Sequence, residues 1–272
     1  MPDLKDIDLF YAIGLPPEQA IQYFQSKGFE MSWNWYDLWQ DAQVRSFTVA
    51  KVMRLDILQD IYDALDTAMK RGQSYESFRK EIEPTLREKG WWGKVPAEMV
   101  PGYDPSLGIA PDEPVQLGSP WRLKTIYRVN MQTNYMSGRF KSMMDNATNR
   151  PYWQYVAVMD QKTRPSHAEL NGKVFRYDDP FWQYFYPPNG WNCRCRVRAL
   201  SQRDLDRKGL KVESAVGKLL QRNLEGGRSV WEYHPAPNQW PLIPDVGFDY
   251  NPGRIFWQPD ASRYNPEIGR LL

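Results

Sequence analysis

Between Asp160 and Val197 the chain reads DQKTRPSHAELNGKVFRYDDPFWQYFYPPNGWNCRCRV, a stretch that restricts the possible folds more than any other. Gly172, Pro180, Pro187, Pro188 and Gly190 interrupt it too often for a long helix or strand. Phe175, Tyr177, Phe181, Trp182, Tyr184, Phe185, Tyr186 and Trp191 supply enough apolar surface to hold a compact irregular knot. The same stretch carries both cysteines of the chain, Cys193 and Cys195, and one of its two histidines, His167.

Thiolates and imidazole bind zinc at neutral pH, and two cysteines with one histidine leave a tetrahedral set one ligand short. Asp160 is the nearest candidate for the fourth place. The spacing departs from ordinary zinc modules, whose paired cysteines stand two to four residues apart, although alternate residues of an extended C-x-C segment do share a face. The competing reading is two half-buried thiols packed beneath a loop. A disulfide between them is disfavoured, because an i, i+2 pair strains the Cα separation that a bridge needs. An enzymatic alternative takes His167-Ala168-Glu169 with the two cysteines as an echo of the H-x-E and P-C-x-x-C signature of zinc deaminases, with Glu169 moving protons. The echo breaks at its second half: no proline directly precedes Cys193, and one residue separates the cysteines where the signature has two. A metal, if held, is expected to be structural zinc; no other cofactor is expected.

The flanks predict an α+β fold. Residues 1 to 15 lack periodicity and read as an arm. A short helix opens at Pro16-Pro17, buries Ala20, Ile21 and Phe24, and is expected to stop at Gly28. Leu38, Trp39, Ala42, Val49, Ala50 and Met53 recur at helical spacing from Trp35, as do Leu58, Ile61, Leu65, Ala68 and Met69 after Asp56. Tyr75 to Lys89 follows an Ser74 cap, with Pro84 expected to kink or shorten it. Trp91 to Gly118 reads as a long Pro- and Gly-rich loop that contacts a neighbour through Trp91 and Trp92. Ser119-Pro120 starts a helix running to about Asn146. Ile126, Val129, Thr133, Met136, Phe140 and Met143 form its buried stripe, and Arg128, Gln132, Tyr135, Arg139 and Lys141 its other side. Strands are predicted at Tyr152 to Met159, Lys173 to Phe175 and Arg194 to Ala199, a helix after Ser201, and a second amphipathic segment at Lys211 to Leu224 through Val212, Val216, Leu219 and Leu220. Four regions result: a helical part at 1–90, a loop at 91–118, a core at 119–225 in which the long helix packs on a small irregular β module, and an extended Pro- and aromatic-rich tail at 226–272.

Net charge is only +2, so non-specific DNA binding would need a local patch, and Arg194, Arg196, Arg198, Arg203, Arg207 and Lys208 offer one. Asp204 and Asp206 dilute it, and a solvated face is the competing reading. The 12 tryptophans and 22 prolines exceed ordinary usage and suit a protein that meets partners, with Trp91, Trp92, Trp231, Trp240 and Trp257 as candidate anchors. Two cysteines give no disulfide framework, no secretory leader is legible at the N-terminus, and no stretch approaches the ~20 apolar residues of a membrane span. No Gly-rich phosphate loop is present, which argues against an ATP-driven motor.

Three ordered runs carry a resemblance: TIYRVNMQTNYMSGRF at Thr125 to Phe140, D-x-x-T-R-P-S-H-A-x-L-N-G-K-V-F at Asp160 to Phe175, and P-P-N-G-W-N-C-R-C-R-V at Pro187 to Val197. Together they resemble the head morphogenesis family of tailed phages typified by protein F of phage Mu. FTVAKVMRLDILQDI and the EKGWWG at Glu88 to Gly93 extend the likeness over residues 1 to 200. The resemblance implies a minor capsid protein without catalytic activity, in the virion interior near the portal and in the host cytoplasm during assembly. Its implied partners are the portal protein, major capsid or scaffold proteins, and packaged DNA bound without sequence reading.

Overall fold

A computed structural model of the chain describes residues 17–31, 46–224 and 228–257. It forms two compact units, Met1–Met131 and Gln132–Leu272, and the division falls inside the long helix.

The first unit is mainly helical. Helix α1 (Pro17–Gln25) buries Ala20, Tyr23 and Phe24. It is followed by β1 (Gly28–Phe29), which runs parallel to β2 (Ser46–Phe47). The expected glycine stop at Gly28 does not occur, because that residue already belongs to the strand. Ser26 Oγ, donating to the Tyr23 carbonyl at 2.7 Å, and Lys27 N–H, donating to that of Phe24, close the helix instead. The helical reading of Trp35 to Met53 fails over its described part. Residues 46–53 form β2 and a turn in which Lys51 adopts φ 60, and Val49 and Val52 are buried from irregular backbone. Trp35, Leu38, Trp39 and Ala42, like the arm at 1 to 15, lie outside the described residues.

Helix α2 (Leu55–Arg71) buries Leu58, Ile61, Leu65 and Ala68 along one stripe and ends where Gly72 turns left-handed. Helix α3 (Tyr75–Glu88) starts at Ser74, whose hydroxyl accepts from the Ser77 N–H. Pro84 neither ends nor shortens it: the ring sits on the exposed side, where water can reach the carbonyl that loses its N–H partner. The segment read as one long loop is closed at its base by β3 (Lys94–Pro96) paired antiparallel with β4 (Pro114–Gln116). Trp91 is buried in this unit; its indole N–H donates to the Lys51 carbonyl at 3.0 Å, and the Arg122 guanidinium lies over its ring. Burial pulls the Arg122 pKa down to about 10, while its donors reach the carbonyls of Ala50, Gln116 and Leu117. Helix α4 (Pro120–Asp145) begins at the predicted Ser119 cap and contributes Leu123, Tyr127 and Met131 to the first core.

The second unit takes the rest of α4. Met136, Phe140 and Met143 face its core as the stripe requires, but Gln132 and Tyr135, expected on the solvent side, are buried too. The Gln132 amide donates to the Cys195 carbonyl at 2.6 Å, so its burial is compensated. Strand β5 (Tyr152–Val156), helix α5 (Pro165–Leu170), strand β6 (Val174–Arg176), helix α6 (Phe181–Tyr184), strand β7 (Arg196–Leu200), helix α7 (Gln202–Lys208) and strand β8 (Val212–Glu213) follow in order. The sheet order is β7-β5-β6-β8, with β5 antiparallel to both neighbours and β8 parallel to β6. Register places Trp153 between Phe175 and Ala199, and its indole meets Phe140, Trp182 and Tyr186. The predicted knot aromatics thus become a real core, with Phe175 and Phe181 stacked at 4.0 Å.

The amphipathic segment read at Lys211 to Leu224 is not a helix. Gly217 takes φ 75, and β9 (Leu219–Asn223) pairs antiparallel with β10 (Ser229–Tyr233), leaving Val216 and Leu220 exposed. The tail is therefore partly regular, and helix α8 (Pro252–Trp257) ends the described chain. Tyr233 inserts fully into the second core against Phe175, Phe181 and Phe185. The fold is α+β.

Candidate metal centre

The sequence C-R-C-R-V-R enters β7 extended, so alternate side chains take opposite sides. Cys193, Cys195 and Val197 are buried while Arg194, Arg196 and Arg198 point outward, half-buried or exposed. On the other side of the site, Pro165 starts α5, and its first turn directs His167 inward. The three side chains meet: His167 Nδ1 stands 3.4 Å from Cys195 Sγ and 3.7 Å from Cys193 Sγ, and the three ligand atoms all lie within 4.8 Å of one another. All three residues are buried and both cysteines are free thiols.

Surrounding groups hold the trio. The Tyr155 hydroxyl donates to Asn189 Oδ1 at 2.9 Å and hydrogen-bonds Cys195, and a backbone hydrogen bond from Asn189 reaches Cys193. Burial opposes ionisation of Cys193, yet hydrogen bonds from Cys195 and His167 outweigh it and hold that thiol well below its ordinary value. Cys195, bonded to the Cys193 sulfur and itself buried, is pushed the other way.

A strap from the tail fixes the cysteine loop. Asp245 accepts from the Trp191 N–H (3.1 Å) and from Arg164 (3.0 Å), and its own N–H donates to the Asn189 carbonyl. Gly190 lies so near that a Cβ there would fall 2.3 Å from an Asp245 carboxylate oxygen, so no side chain fits without moving the strap. Arg164 also donates to the Trp191 carbonyl, tying α5 to the same loop.

Asp160 lies outside this group. Its carboxylate receives both terminal nitrogens of Arg194, at 2.6 and 2.7 Å, and that pairing holds it well below the usual carboxylate range. Glu169 is exposed on α5, away from the His and Cys side chains. Of the arginines, Arg194 is taken by Asp160 and Arg207 by Asp204, whereas among the described residues Arg196, Arg198 and Arg203 have no carboxylate partner. Trp91 is buried, Trp92 lies under Arg87, and Trp231 stacks on Tyr184 at 4.2 Å, so these three are occupied within their own units. Trp240 is 90% exposed, and the Trp257 side chain lies outside the described residues. Sequence reasoning missed Tyr155, Asn189, Arg164 and Asp245. Only Asn189, within the Pro-Pro-Asn-Gly turn, carried a local signal.

The Phage Mu protein F like family matches residues 59–198, which take in most of the second helix, the long helix and the whole His/Cys knot. The provisionally named capsid assembly protein F of Escherichia phage Mu is 46% identical over 269 residues, 95% of this chain and 59% of that protein. The Mu-like prophage FluMu F protein of Haemophilus influenzae is 44% identical over 189 residues, 70% of this chain and 43% of that protein. The chain thus spans about half the length of these curated relatives. No solved structure matches it. With the family match covering half of its length and the relatives aligning with the same residues, the chain belongs to the Phage Mu protein F like family.

Proposed function

We propose that this chain is a minor structural component of a phage-type head, acting in head assembly from a position near the portal and the capsid interior. The observation that carries the reading is the 46% identity across 95% of the chain to a protein named for capsid assembly. Physical features support it. Trp121, Met99, Met159 and Trp240 leave large apolar surfaces in water, the kind of anchor that an assembly partner covers. Portal, major shell and scaffold proteins are the partners proposed. Arg196, Arg198 and Arg203 offer a modest cationic face for packaged DNA, suited to phosphate contact and not to base reading. In this reading the buried His/Cys knot is scaffold and turns over no substrate. Among the described residues no helix is long and apolar enough to cross a membrane.

The test is a pull-down with tagged chain from cells producing the particle, alongside deletion of the gene. Copurification of the portal protein, with empty or malformed heads on deletion, is the expected result. Normal yields of infectious particles after deletion would overturn the assembly role.

A further inference from the structure

We propose that His167 Nδ1, Cys193 Sγ and Cys195 Sγ bind one zinc ion, which staples α5 to the strand entry of β7, with an exogenous ligand such as water in the fourth place. The inference is independent of any role in a phage head. A tetrahedral zinc with Zn–S about 2.3 Å and Zn–N about 2.0 Å holds sulfur and nitrogen about 3.5 Å apart. The two separations observed here, 3.4 and 3.7 Å, bracket that value. The extended entry to β7 turns both sulfurs inward and α5 delivers the imidazole to meet them, so two chain segments bring the three ligand atoms within 4.8 Å of one another.

The surroundings fit the same occupant. Thiolate sulfurs bound to a metal keep lone pairs that accept hydrogen bonds, and the Asn189 backbone supplies one to Cys193. Asn189 Nδ2 is buried with no protein acceptor, a donor left over beside the thiols that a metal-bound water would satisfy. Two soft donors and an imidazole select zinc or another thiophilic ion over magnesium or calcium. The carboxylate of Asp160 is committed to Arg194 and takes no part.

The experiment uses the whole chain purified under reducing conditions. Elemental analysis is expected to find about one zinc per chain. After chelation, titration with cobalt(II) should develop sulfur-to-cobalt charge-transfer absorption and the intense visible bands of a tetrahedral ion, saturating at one equivalent. Cys193→Ser and Cys195→Ser should each cut the charge-transfer intensity by about half, and His167→Ala should weaken cobalt affinity at least tenfold while keeping sulfur absorption. Asp160→Asn and His234→Ala should leave stoichiometry unchanged. Should the ligand variants not fold, the wild-type stoichiometry and spectrum decide alone: less than a tenth of an equivalent of zinc together with no charge-transfer band on adding cobalt overturns the site. Loss of metal in Asp160→Asn would overturn the three-residue ligand set.

Discussion

The two units reach stability by different routes. The first stacks apolar stripes from regular helices, Leu58, Ile61 and Leu65 on α2 and Phe78, Ile82 and Leu86 on α3, with α2 closed at Gly72 and α3 capped at Ser74. The second has little regular structure around its sheet and depends on aromatic packing and, as Trp91 and Arg122 also do in the first, on side chains that bond distant backbone. Gln132 reaches Cys195, Arg139 reaches Val197, Tyr186 reaches Met136, and Asn251 reaches the Trp182 carbonyl. Periodic apolar surface suffices where helices meet. An irregular knot must satisfy its many free backbone groups one at a time.

The contrast can be broken hardest at Trp153. Trp153→Ala should cost about 4 kcal/mol by opening a cavity amid Phe140, Trp182 and Tyr186. Hydrogen exchange should show the loss across residues 132–257 and leave α2 and α3 protected. A uniform loss would mean that the two units share one cooperative transition.

In the helical unit the reverse should hold. Pro84→Ala should raise stability by about 2 kcal/mol in denaturant melts, because it restores an N–H to the interior of α3. A similar magnitude with opposite sign is expected from Gly190→Ala, where the new methyl meets Asp245 and forces the strap away from the cysteine loop. Protection of the 190–195 amides should fall, and pairing with Asp245→Ala should recover part of the loss, a sign that the clash is the cause.

How much of this was legible in the chain follows the same division. Ser74, Ser119 and Ser201 announced their helices because capping is local chemistry. The three strands of the knot were readable to within a few residues from β-branched and aromatic runs. Val212, Val216, Leu219 and Leu220 imitate a helical stripe, and the φ of Gly217 that makes them strand and turn is invisible without the fold. Val49 and Met53 misled in the same way beside Lys51. At the site, the inward turn of both cysteines follows from alternation alone, and the meeting with His167 follows from the sheet. The choice of Asp160 failed to anticipate Arg194, which lies between the two cysteines and claims that carboxylate. Asp245, 52 positions beyond Cys193, gave no signal at all because its partners, the Trp191 and Asn189 backbone and the Arg164 side chain, lie far along the chain.

A pH dependence sharpens the account of the first unit. Burial lowers the Lys27 pKa to about 8 from 10.5. Below that value the folded state carries a buried charge at a cost, and the cost disappears as pH rises through the window between the two values. Stability of the first unit should therefore increase by about 2 kcal/mol between pH 7.5 and 10.5 for this group. Lys27→Met should remove that slope in pH-resolved melts. Smallest of all, Ser74→Ala should cost about 1 kcal/mol, confined to the first turn of α3 by hydrogen exchange.

The central claim is that this chain is built into a head as a scaffold component. Quantitative mass spectrometry of purified particles tests it most directly. The account predicts a small, reproducible number of copies per particle, retained after stringent washing alongside portal and shell proteins. Particles rich in shell protein but free of this chain, with the chain left soluble in the lysate, would contradict it.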